Sequence, residues 1–160
     1  MRISIKNKIR QILKSGEVVF VGIGNTIRGD DGVGPYVISK FVQRTVSYEF
    51  IDAGEMPENY IGKITKLKPK TVIIIDALDF DGKPGQIKIL TPDKIQDITF
   101  STHGMSLGLF TERIKQLSGA EVLFIGIKPY YVGLKEGLTD IIKAEADALI
   151  KMIGESICMN

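Results

Sequence analysis

The run Val72-Ile73-Ile74-Ile75 constrains this chain more than any other feature. Four successive β-branched residues are stiff at χ1 and favour a pleated strand over a helix. The run shows no apolar–polar alternation, so both faces of the strand must be covered, as in a parallel sheet wrapped by helices. It ends abruptly in a carboxylate, Asp76. A second run, Val18-Val19-Phe20-Val21-Gly22, has the same character and leads into the glycine-rich stretch Gly24-Asn25-Thr26-Ile27-Arg28-Gly29-Asp30-Asp31-Gly32.

Helical and extended patterns alternate around these two runs. Ile5, Ile9, Ile12 and Leu13 have near-helical spacing, and Ser15-Gly16 stops that helix. Residues 33–42 read as a helix that tolerates Pro35 in its first turn. Residues 48–51 read as a strand and 57–67 as a helix. Residues 85–90 alternate, as an edge or antiparallel strand does. Residues 106–117 read as a helix capped by Ser106, residues 121–127 as the last core strand, and residues 139–153 as an amphipathic helix capped by Thr139. The alternation predicts an α/β protein, a three-layer α/β/α sandwich around a mostly parallel twisted sheet of about five strands. No repeat or linker divides the 160 residues, so a single domain is expected over 1–160, with 1–16 as an N-terminal helical extension and 17–153 as the core.

Composition narrows the function. The net charge is +2 with scattered basic residues, which leaves no electrostatic footprint for nucleic acid. Lys6, Lys8, Arg10 and Lys14 cluster near the start and read as a solvated helix face. No apolar run reaches the roughly 18 residues of a membrane span, and the first residues lack the pattern of a secretory signal. The single cysteine, Cys158, excludes an internal disulfide and fits a reducing cytoplasm. The single histidine, His103, must serve any imidazole chemistry.

In such sheets ligands bind beyond the carboxyl ends of the strands. Asp76 stands there by geometry. Asp30 and Asp31 precede the first helix after a core strand, and only one of two neighbours is expected to face the crevice. The residues themselves leave that choice open. Asp79 and Asp81 lie among turn formers and read as a solvated turn. His103 sits in a polar loop, Ser101-Thr102-His103, ahead of a helix. Two carboxylates and an imidazole make a three-ligand site for a divalent ion, with coordination positions left open. Dinucleotide binding is the competing reading, because Gly22 and Gly24 end a strand and Asp52 ends the next. The following glycine is Gly29, however, which breaks the G-x-G-x-x-G spacing, and the acidic pair would repel a pyrophosphate. Gly22 and Gly24 then serve a tight turn and close backbone approach.

The glycine stretch 24–34, Ile75-Asp76-Ala77 and Ser101-Thr102-His103, in this order, resemble the maturation endopeptidases of nickel–iron hydrogenases. Asp52-Ala53-Gly54-Glu55-Met56-Pro57 and Phe124-Ile125-Gly126-Ile127-Lys128-Pro129 are most similar to the branch that processes the large subunit of hydrogenase 3-type enzymes. The resemblance implies an endopeptidase that removes a C-terminal extension from the nickel-loaded large-subunit precursor. It also implies that Asp31, rather than Asp30, joins Asp76 and His103 as catalytic and metal-contacting residues. Met105-Ser106 stands where relatives often carry proline, which bears on the helix start alone. The cofactor expected is nickel supplied by the substrate, with no tightly bound metal in the free enzyme. A metal-free aspartic mechanism using Asp31 and Asp76 is the rival chemistry. A nucleotide- or metal-binding module without peptidase activity is the alternative function.

Overall fold

The computed structural model describes residues 1–42, 47–95 and 106–159. Five strands form one sheet in the order β2-β1-β3-β5-β4. They are β1 (Val18–Ile23), β2 (Glu49–Gly54), β3 (Thr71–Ala77), β4 (Ile87–Leu90) and β5 (Glu121–Ile127). β1, β2, β3 and β5 run parallel, and β4 is an antiparallel edge. The helices are α1 (Arg2–Leu13), α2 (Val33–Val42), α3 (Ile61–Lys66), α4 (Pro92–Ile95), α5 (Leu107–Ser118) and α6 (Asp140–Cys158).

Side-chain alternation along the buried strands builds two cores. Val18, Phe20, Ile73, Ile75, Ile125 and Ile127 face one side and pack with α1, α2 and α6. Val19, Val21, Val72, Ile74, Val122 and Phe124 face the other and pack with α3 and α5. This is the expected α/β/α sandwich, and every residue of β1 is buried, as its unbroken apolar run requires. Phe50 stacks between Phe20 and Phe41, with ring centroids 4.8 and 4.5 Å away, which seats α2 on β1 and β2.

Local structure departs from the sequence pattern at several element ends, including β2, which runs on to Gly54. The helix expected over 57–67 begins as a 3-10 turn, Pro57–Tyr60, before α3. The short helix α4 had no sequence signal. α6 runs on past Ile153 to Cys158, because Ser156 is buried and its hydroxyl donates to the Met152 carbonyl at 2.7 Å. The N-terminal helix buries Ile5, Ile9 and Leu13 in the same cluster as α2 and α6. Its polar side carries the basic residues, with Lys8 and Lys14 exposed and Lys6 paired with Glu155. Among the described residues, no helix is long and apolar enough to cross a membrane.

The strand order creates one topological switch point. From β1 the chain turns through α2 to β2 on one flank, whereas from β3 it proceeds to β4 and β5 on the other. The carboxyl ends of β1 and β3 therefore border a crevice. α2 enters that crevice at Gly34. A Cβ there would lie 2.4 Å from the carbonyl oxygens of both Ile23 and Ile75, closer than any packing tolerates.

Gly34→Ala is therefore expected to destabilise the protein by about 3 kcal/mol, since the obstructing atoms are backbone and cannot move aside. Gly62→Ala on the exposed face of α3, where nothing lies within 4 Å of the added methyl, should instead stabilise by about 0.5 kcal/mol. Urea unfolding of the two variants beside the parent protein measures both signs.

Candidate active site

The glycine loop closes on itself before it can present a side chain. Gly24 adopts a φ of 145°, and a Cβ there would fall 1.8 Å from the Asp31 carbonyl oxygen. Asn25 organises the interior of the loop. Its backbone N–H donates to Asp31 Oδ2 at 3.0 Å, its Oδ1 accepts from Ile27 N, and its Nδ2 donates to Glu55 Oε1. The loop ends in a 3-10 turn, Gly29–Gly32, which carries both acids and buries them.

The two neighbours diverge. With about three residues per turn, consecutive side chains of a 3-10 turn point roughly 120° apart. Asp30 is fully buried and accepts from Tyr130 N (3.0 Å), Tyr131 N (2.8 Å), Thr139 N (2.8 Å) and the Thr139 hydroxyl (2.9 Å). It therefore ties the glycine loop to the segment between β5 and α6. Thr139 stands at the N-cap of α6 as expected, but its hydroxyl donates to Asp30 rather than accepting from the helix. Asp31 instead lines a cavity of about 270 Å³.

Arg28, Ala77, Asp79, Tyr130 and Val132 share that cavity. Ala77 follows Asp76 at the carboxyl end of β3, so Asp31 and the end of β3 meet at one cavity at the switch point. Asp76 is 1% exposed and pairs in register with Gly126. Strand alternation assigns it to the face where α5 packs. That helix follows the loop of His103, which lies outside the described residues. Ser106 caps α5 as the sequence predicts, its Oγ accepting from Leu109 N at 3.2 Å. Among the described residues no three potential metal ligands form a group.

Some site residues gave no sequence signal. Asp79 is half exposed, as a turn residue should be, yet it lines the cavity and accepts from Lys128 Nζ at 2.6 Å. Tyr130 and Val132 were not singled out. The aromatic pair Tyr130-Tyr131 just beyond a core strand was the available clue. Asp52, the acid a ribose would need, is exposed and accepts from Gly54 N within its own turn.

A buried carboxylate that lines an open cavity can bind a cation or act as an acid or base. A doubly wound sheet with an acid-lined cavity at its switch point suits a small hydrolytic enzyme. Residues 35–156 match the HycI family, described as hydrogenase maturation protease. That span contains Asp76 and His103 and begins just after the glycine loop. The chain is 35% identical over 137 residues to the hydrogenase 3 maturation protease of Escherichia coli, covering 84% of this chain and 87% of that one. Among solved structures it is similar to the NiFe hydrogenase maturation protease HycI of Thermococcus kodakarensis, with a TM-score of 0.84 and 35% identity over 94% of this chain and 99% of that one. The hydrogenase maturating endopeptidase HybD of E. coli shares the fold, with a TM-score of 0.72 at 19% identity over 89% and 91% of the two chains. The chain belongs to the hydrogenase maturation protease family and is an endopeptidase.

The two acids should separate in their effects. Asp30→Ala leaves three backbone N–H groups without their acceptor and is expected to cost about 3 kcal/mol in stability. Asp31→Asn keeps an oxygen for Asn25 N and should change stability by less than about 1 kcal/mol while abolishing cleavage. Thermal or urea unfolding, run alongside a cleavage assay, checks both.

Proposed function

We propose that this protease removes the C-terminal extension from the nickel-loaded large-subunit precursor of a nickel–iron hydrogenase, in the cytoplasm. In this reading Asp31, Asp76 and His103 recognise nickel that the substrate itself carries. The observation that supports it is the placement of Asp31 and the buried end of β3 at one cavity, beneath a topological switch point. Two carboxylates facing each other without a cation repel, and like charges then weigh against docking. A divalent ion held by the precursor reverses the sign of that interaction. The protease could thus distinguish loaded from unloaded precursor without owning a metal.

The chemistry needs little more. Hydrolysis of a peptide bond requires a base for the attacking water and an acid for the leaving amine. A carboxylate close to a substrate-borne cation stays ionised and can take the proton from water. The loop of His103 supplies the remaining imidazole in this reading, as the family resemblance implies. Arg28 brings a fixed positive charge to the cavity wall, where it can meet a carbonyl oxygen that gains charge as water attacks.

Chelator-treated enzyme should cleave nickel-loaded precursor and leave nickel-free precursor intact, read by intact-protein mass spectrometry. Asp76→Asn should slow cleavage about 100-fold, equivalent to about 2.7 kcal/mol, because it removes charge as well as a ligand. His103→Ala should slow it less, by about tenfold. Efficient cleavage of nickel-free precursor, or a stoichiometric metal in the isolated enzyme, would defeat the reading.

A further inference from the structure

The segment after β5 does two things at once. Its backbone is fastened to the glycine loop. Tyr130 N and Tyr131 N donate to the Asp30 carboxylate, Asp30 N donates to the Tyr131 carbonyl, Gly29 N to that of Lys135, and Lys135 N to that of Ile27. The Tyr131 ring folds back over its own loop, so that a Cβ at Gly133 would lie 2.5 Å from the Tyr131 hydroxyl. Yet the same stretch turns apolar side chains to solvent. Leu134 is 88% exposed, Tyr130 is 68% exposed, and Val132 is also exposed. Ile27, on the strand-like partner across the Arg28–Lys135 bridge, is 56% exposed.

A loop held this firmly cannot fold its apolar side chains away. Exposed aromatic and aliphatic groups on a fixed backbone are characteristic of interaction sites, because the backbone entropy is already lost before the partner arrives. Tyr130 and Val132 also line the cavity of Asp31. The apolar strip is therefore continuous with the candidate active site. Whatever chain presents its scissile bond to Asp31 must run along it. Asp79, Lys128 and Arg28 supply a charged rim, as at other protein interfaces.

We infer that Ile27, Tyr130, Val132 and Leu134 form a rigid docking platform for the extended, apolar polypeptide segment of the precursor that flanks the scissile bond. Asp30 is the positioning residue that fixes this platform relative to Asp31. The inference rests on the reading that the substrate is a hydrogenase large-subunit precursor, and it assigns the surface by which that precursor is held.

The test uses the full-length enzyme and a panel of purified nickel-loaded hydrogenase large-subunit precursors. Ile27→Ser, Leu134→Ser and the double variant change exposed groups outside the hydrogen-bonded frame, so circular dichroism and unfolding midpoints should match the parent. KM for the precursor should rise about tenfold in the double variant, with kcat falling less than about threefold. Ile3→Ser, an equally exposed apolar change on α1, should leave KM within about twofold of the parent. Parent enzyme that cleaves a precursor while the double variant shows an unchanged KM would overturn the platform and keep the substrate assignment. Parent enzyme that cleaves no precursor in the panel would overturn both. A parent dimer that Leu134→Ser converts to monomer, with KM unchanged, would assign the strip to self-association and overturn the proposal.

Discussion

The buried carboxylate of Asp30 is the interaction on which the rest of the site depends. Removing a carboxylate from water is costly unless its oxygens are fully engaged. Its partners are three backbone N–H groups and one hydroxyl rather than a cation, and one of those N–H groups belongs to Thr139, the N-cap residue of α6. Nineteen aligned peptide dipoles in that helix add partial positive charge where the carboxylate lies. One side chain thus fastens together the loop after β1, the segment after β5 and the last helix, although 100 or more positions separate Asp30 from its partners. The wall of the cavity is positioned by this clamp rather than by packing of its own exposed residues.

The clamp works because the sheet has already brought those segments together. β1 and β5 are not neighbours, since β3 lies between them. Their following loops meet only because both rise from the same carboxyl edge of a parallel sheet. Gly34 allows α2 to start directly over that edge, and the absence of a side chain there is what lets the glycine loop reach across β3. A larger residue would lift the helix and with it both acids. Fold and site are therefore linked through backbone contact before any side-chain chemistry is considered.

Much of this was legible in the sequence, for identifiable reasons. Unbroken apolar runs marked β1 and β3, and the bounds of α2 and β5 followed from their flanking breakers. Asp76 was legible as the carboxylate at the carboxyl end of an apolar central strand. Asp30 was not, since its role depends on hydrogen bonds to residues 100 or more positions away, and local pattern carries no information about such partners. The choice between Asp30 and Asp31 shows the limit most clearly. Periodicity could say that one faced the crevice and not which, because the answer depends on where the segment after β5 passes. The resemblance to a family favoured Asp31. In the structure Asp30 is engaged by hydrogen bonds within the protein, and Asp31 is the member of the pair that lines the cavity.

Placing the clamp next to the acid that lines the cavity has a mechanical consequence. Positional error accumulates with each flexible torsion between an anchor and the group it holds. Asp30 and Asp31 share one peptide bond, the shortest covalent separation that two side chains can have. A tight 3-10 turn sends them in different directions without adding length. Catalytic groups must be held to within about 0.5 Å of productive geometry, and an anchor several residues away would leave more soft dihedrals between the two. The same adjacency accounts for the glycines ahead of the pair. Gly24 must let Asp31's own carbonyl approach the start of the loop, and Gly29 must let Tyr131 pass within van der Waals contact. Each glycine removes a side chain that would push the acids off the strand edge. The motif is thus read most economically as a device for burying one carboxylate so that its neighbour can be aimed.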